Sequence, residues 1–292
     1  MPEQQANPIA QAVKTAGNPL ANYFRQPKIY LRLPSQGKFY PEGSLDKSAI
    51  DEYPVYAMTA KDELVFKTPD ALMNGQATVN VIKSCIPAIK DPWAMPSLDL
   101  DACLVAIRIA TYGENMDVGA DCPNCNTRND YVMSLLGYLD SVAKFEYIDV
   151  LKIDPLTVHI RPYTYKELSK TALKTLEQQK IFAVVNDDSL SDEEKLEKFG
   201  SSFLKLTDLT VDVICGCIES ITTPEGTVSD KEVIKNFIEN TSSEIFNTIK
   251  DHVDKMKEEM KLKQQDVTCS NCNHKWSLAL ELDNSAFFGK GS

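Results

Sequence analysis

At 292 residues the chain can build one large domain or two modest ones, and its 43% hydrophobic and 25% charged composition is that of a globular protein. No stretch approaches the roughly 18 consecutive apolar residues of a membrane-spanning helix, and residues 1–26 are polar, with no signal-peptide core. Acids outnumber bases 42 to 31, a formal net charge of −11 with no basic stripe, which argues against a nucleic-acid partner because phosphate binding draws on clustered Lys and Arg.

Residues 1–27 read as a mobile N-terminal arm. An α+β region follows over 28–115. Ile29, Leu31 and Leu33 alternate with Tyr30 and Arg32, the period of a half-buried strand, and Pro34 with the turn Ser35-Gln36-Gly37 ends it. A second short strand falls around Pro54 to Met58. Thr68-Pro69-Asp70 has the form of a helix start, with a capping side chain and Pro at the first helical position. Val79 to Ile86 continues as helix and stops at Pro87. Leu100, Cys103, Leu104, Ile107 and Ala110 then recur at helical spacing on one face, and Gly113 is placed to end that helix.

Residues 116–135 form a first strand pair around Cys122. Residues 136–263 read as a mainly helical insertion, opened by a hairpin over Val150 to Ile160 that turns at Asp154-Pro155. Four capping-box spacings mark its helix starts: Thr164 with Glu167, Ser191 with Glu194, Ser229 with Glu232 and Thr241 with Glu244. Asn186 to Ser189 is a loop, and Thr223-Pro224-Glu225-Gly226 a turn. Val211 to Ile221 reads as one strongly apolar helix. The last helix carries Ile245, Ile249, Val253, Met256 and Met260 on one face. Residues 264–292 hold a second strand pair and a C-terminal tail.

Four of the eight cysteines form two pairs of one pattern, Cys122-Pro123-Asn124-Cys125-Asn126 and Cys269-Ser270-Asn271-Cys272-Asn273. Each pair lies between strand-like segments, and each has a base three residues beyond its second cysteine, Arg128 or Lys275. A tight knuckle that aims two thiolates at one ion needs residues tolerant of positive φ, a role Asn fills. Four thiolates around Zn²⁺ leave a charge of −2, which Arg128 and Lys275 are placed to offset. The expected fold is therefore α+β: small β elements, a four-cysteine zinc ribbon assembled from two distant hairpins, and a large helical insertion. Its metal ligands are Cys122, Cys125, Cys269 and Cys272, and its cofactor one structural zinc. Closing the gap of about 143 residues between the pairs (residues 126–268) costs roughly 4 kcal/mol. Structural zinc contributes about 10–16 kcal/mol and outweighs it. Cys85, Cys103, Cys215 and Cys217 sit in apolar helical runs and read as small buried hydrophobes.

No catalytic constellation is evident. The three histidines, His159, His252 and His274, have no partner in the pattern, and phosphate loops, metalloprotease and nucleophile-elbow motifs are absent. A zinc held by four thiolates keeps no open position at which water is activated. The expectation is a protein that is not an enzyme.

Leu33-Pro34-Ser35-Gln36-Gly37-Lys38-Phe39-Tyr40, Met58-Thr59-Ala60-Lys61-Asp62-Glu63-Leu64 and Lys67 to Gly75, with Ile82-Lys83-Ser84-Cys85 and Leu104 to Gly113, resemble the baseplate hub assembly proteins of T-even-type contractile-tailed bacteriophages. The resemblance covers about residues 28–140. It implies a late protein of tail assembly that acts through contacts with other baseplate hub or tail proteins, as chaperone or hub component. Its expected location is the host cytoplasm during assembly or the virion tail baseplate. It implies no catalytic residues, and it leaves the oligomeric state open. The alternative is a zinc-ribbon, nucleic-acid-binding transcription factor, which would need the basic patch that this sequence lacks.

Overall fold

The computed structural model describes residues 20, 23–66, 75–182, 191–260 and 264–278. The chain divides into two units: Met1–Met95, Asp99–Phe145 and Leu262–Ser292 form the first, Pro96–Leu98 and Glu146–Lys261 the second.

In the first unit, β1 (Pro27–Leu31) pairs antiparallel with β2 (Tyr53–Tyr56), Leu31 opposite Tyr53 and Ile29 opposite Val55. The alternation read from the sequence holds: Leu31 and Leu33 are buried and Tyr30 and Arg32 exposed. Beyond Pro34 the chain turns through Gln36 and Gly37, both with positive φ (55° and 69°). Helices α1 (Ala60–Phe66), α2 (Gln76–Cys85), α3 (Leu100–Tyr112) and α4 (Leu136–Val142) complete the core. The expected start at Thr68-Pro69-Asp70 lies outside the described residues. Thr59 and Asp62 make a reciprocal capping box at α1: Asp62 Oδ2 accepts from Thr59 N and Oγ1, both at 2.8 Å, and Asp62 N donates back to Thr59 Oγ1.

Helix α3 departs from the one-faced pattern expected of it. Every residue from Ala102 to Ala110 is buried, because β1, β2, α2 and α4 pack around it. It ends at Gly113, whose φ of 96° a residue with a Cβ rarely adopts. Two hairpins belong to the same unit: β3 (Asn115–Asp121) with β4 (Arg128–Ser134), and β9 (Gln265–Thr268) with β10 (Lys275–Leu278).

Of the arm expected over 1–27, residues 1–19, 21 and 22 lie outside the described residues. Its last residues are held. Arg25 Nη1 donates to the Ala57 carbonyl at 2.7 Å, and Nη2 donates to the Ser84 carbonyl at 2.6 Å and to Ser84 Oγ at 2.9 Å. Asp62 lies 3.6 Å from Nη1.

The second unit is helical around a four-stranded antiparallel sheet of order β5-β6-β7-β8: β5 (Val150–Ile153), β6 (Leu156–Ile160), β7 (Ile218–Thr223) and β8 (Gly226–Val228). Its helices are α5 (Tyr165–Phe182), α6 (Asp192–Cys217), α7 (Lys231–Asn240) and α8 (Ser243–Met260). The single helix expected over Val211 to Ile221 is in fact two elements, since α6 stops at Cys217 and Ile218–Thr223 is a strand. Ile218 and Ile221 sit three apart, as they would on a helix, but they pair with Ile160 and Val158 of β6 and their branched side chains fill the core there. Gly216 makes room at the junction, where a Cβ would meet the Tyr163 ring at 2.9 Å. Ile249, Val253, Met256 and Met260 of α8 are all buried, as their spacing requires. Residues 186–189 lie outside the described residues.

The caps are shifted in part. Thr164 and Glu167 form the expected box, with Thr164 N donating to Glu167 Oε2 at 2.8 Å. At α7 the cap is Asp230 rather than Ser229: its Oδ1 accepts from Glu232 N at 2.9 Å and Val233 N at 3.0 Å. At α8 it is Ser242 rather than Thr241, accepting from Ile245 N at 3.3 Å. In each case the neighbour one residue nearer the helix supplies the short polar side chain that a cap needs.

Candidate metal centre

Both hairpins of the first unit turn over a Cys-x-x-Cys knuckle, and the two turns are built alike. Cys122 N donates to the Thr127 carbonyl (3.0 Å) and Asn126 N to the Cys122 carbonyl (2.9 Å). Cys269 N likewise donates to the His274 carbonyl (2.9 Å) and Asn273 N to the Cys269 carbonyl (3.1 Å). This winding puts the residue after the second cysteine in the left-handed region, and both are asparagine, with φ of 54° and 55°.

Across the 143-residue separation (residues 126–268) the knuckles face one another, and the four sulfurs lie within 4.8 Å of each other. Cys122 Sγ is 3.7 Å from Cys272 Sγ, and Cys125 Sγ is 3.6 Å from Cys269 Sγ. A disulfide would hold sulfurs at about 2.05 Å. Four sulfurs each about 2.3 Å from one central ion form a tetrahedron with edges of about 3.8 Å. The spacing fits the second case, so these residues could bind a metal ion. Cys122 and Cys269 are buried, whereas Cys125 and Cys272 are half-buried.

The thiols are unequally prepared. Hydrogen bonds from the Thr127 hydroxyl and backbone pull Cys125 down to about 6, and the backbone N–H of Cys272 lowers Cys269. Burial pushes Cys122 up to about 11. A bound cation ionises such a thiol outright.

Asn129 locks the hairpins together, and the sequence reading missed it. This buried amide uses all four of its hydrogen-bonding positions. Nδ2 donates to the Thr127 carbonyl (2.8 Å) and to Cys269 Sγ (3.7 Å), and Oδ1 accepts from Ser270 N (2.9 Å) and Ser270 Oγ (2.8 Å). The equivalent of Ser270 in the first knuckle is Pro123, which has no N–H, and the equivalent of Asn129 in the second is Trp276. The lock therefore works only between unlike halves. Tyr131 adds to it, donating to the Thr268 carbonyl (3.2 Å) and meeting Trp276 edge-on at 5.9 Å.

Arg128 and Lys275, the two bases expected to offset the charge of the cluster, flank the knuckles at the starts of β4 and β10. The Arg128 guanidinium lies over Gly119 of β3, where a Cβ would be 2.5 Å from Nη2, and Lys275 is exposed at the start of β10. His274 is outside the cluster, its ring stacked on Trp276 at 6.1 Å. His252 Nε2 is 2.8 Å from the Ile148 carbonyl, and His159 lies in β6 opposite Val150 and Ser220. Cys85, Cys103, Cys215 and Cys217 are buried in the two cores. Burial pushes Cys85 up to about 12 and Cys217 to about 11, which suits inert packing.

The chain is thus an α+β protein in which two remote hairpins bring four cysteines within reach of one metal ion. A family model described as T4 bacteriophage base plate protein matches residues 26–289, a span that takes in both knuckles, and the chain belongs to that family. No curated protein and no solved structure matched it. Membership gives the chain a structural role in a phage tail baseplate, in contact with other tail proteins. Among the described residues no helix is long and apolar enough to cross a membrane.

Proposed function

We propose that the protein is not an enzyme and works in building the baseplate hub, as hub component or assembly chaperone, through its N-terminal region, while one structural zinc at Cys122, Cys125, Cys269 and Cys272 holds its fold. The observation that carries the zinc is the sulfur spacing of 3.6–3.7 Å. The hub reading rests on the family match together with the residue runs before Gly113 that resemble hub assembly proteins. Within that region, Tyr23 (83% exposed), Phe24 and Tyr30 present aromatic surface beside the anchored Arg25. Aromatic side chains are enriched in protein interfaces. The net charge of −11 weighs against the transcription-factor reading.

Deleting residues 1–24 keeps Arg25 and should leave folding and zinc content intact while reducing infectious particles in a complementation assay. Full complementation by the truncated chain would rule out the arm as the contact. Mass spectrometry of purified particles then separates the two roles, since a hub component is retained and a chaperone is not.

A further inference from the structure

The two knuckles share the pattern Cys-x-Asn-Cys-Asn, and the structure gives its two asparagines different work. Asn126 and Asn273 take the left-handed turn. The inner pair reach across. Asn124 Nδ2 donates to Cys272 Sγ at 3.6 Å, and Asn271 Nδ2 donates to Cys125 Sγ at 3.8 Å and to Thr127 Oγ1 at 3.1 Å. Thr127 Oγ1 is in turn 3.3 Å from Cys125 Sγ, within reach to donate to the ionised sulfur. Each asparagine thus addresses the half-buried sulfur of the opposite knuckle.

We propose that Asn124 and Asn271 are reciprocal positioning residues of the metal centre, each amide orienting and partly neutralising a thiolate that belongs to the other half. The inference rests on the metal reading above. Four thiolates and one divalent ion carry a net charge of −2, and the groups that meet the two half-buried sulfurs are neutral amide and hydroxyl donors. A charge-assisted hydrogen bond to sulfur stabilises the ionised ligand without the desolvation a buried cation would require. The arrangement also makes the site cooperative between halves, because a knuckle alone offers two ligands and lacks the donor that its outer sulfur needs. Outer-shell donors of this kind typically set metal affinity by about 10–100-fold.

Cobalt(II) titration of the full-length, metal-free protein tests this, read by its sulfur-to-cobalt charge-transfer absorption. Both asparagines are exposed, so replacement should leave the fold in place. Asn124→Ala and Asn271→Ala should each weaken cobalt binding about 10-fold and move the band to longer wavelength, as sulfur lone pairs rise when a donor is lost. Asn124→Asp and Asn271→Asp keep the shape but set a negative charge against the thiolate, so they should bind more weakly than the alanine variants. Unchanged affinity and band position in all four variants, with normal uptake by the wild type, would overturn this inference alone. A wild type that takes up no cobalt would overturn the metal reading and this inference with it.

Discussion

Asp99 sits at the entry to α3, where solvent does not reach its carboxylate. It accepts from Ser35 N at 2.8 Å, Ser35 Oγ at 2.6 Å and Tyr40 OH at 2.9 Å, and so fixes the turn that carries Gln36 and Gly37. Burial outweighs these bonds and raises its pKa to about 6. A folded-state value above the unfolded one means that the folded protein binds the proton more tightly. The stability this gives is fully present below about pH 4 and is lost as pH rises through about 6. Asp99→Asn should remove that loss. Its Oδ1 keeps the Ser35 N–H, and its amide can donate to the Ser35 and Tyr40 hydroxyls. Chemical denaturation of both forms between about pH 4 and 7 should show the variant gaining on the wild type by up to about 3 kcal/mol. Parallel pH profiles would show that the carboxylate is not the group responsible.

Among the elements, α7 gives the clearest test of a local signal against the folded backbone. Ser229 has capping-box spacing to Glu232, yet Asp230 holds the two amides. Asp230→Ala should therefore cost about 1 kcal/mol and Ser229→Ala almost nothing, measured by urea denaturation. The reverse order would return the cap to Ser229. The same competition decides β7. Helical spacing continues through Ile218 and Ile221, but pairing with β6 on one side and β8 on the other gains a sheet ladder as well as core packing. A periodicity argument weighs only the side-chain stripe, so it cannot see that alternative.

For the whole chain, the knuckles close a segment that contains nearly all of the second unit. The β9–β10 hairpin has only two strands, and such a hairpin is marginal alone. Chelation, or Cys272→Ser, should release it, and should also loosen the β3–β4 turn, since one cluster serves both. Trypsin cleavage after Arg128 and Lys275 should then accelerate together. Acceleration at one site alone would mean two independent knuckles. Less than half an equivalent of zinc in protein purified without chelator would remove the ion from this account.

What could be read along the chain is what short-range chemistry dictates: the strand alternation of Leu31 and Leu33, the stop at Gly113 and the Thr164 box. The two matching knuckles were legible too, with asparagines where the turn requires positive φ, and their likeness pointed to one shared site. The remaining features depend on neighbours remote in the chain, so folding in three dimensions had to settle them. Ala102 to Ala110 are buried on every side because four elements surround α3. Ile218 leaves the helix because β6 is there to pair with it. The inner asparagines turn to sulfur, and Asn129 to Ser270, because residues more than 140 positions away lie within hydrogen-bond reach. Such contacts leave no periodicity along the chain, only side chains that make sense once their partners are in place.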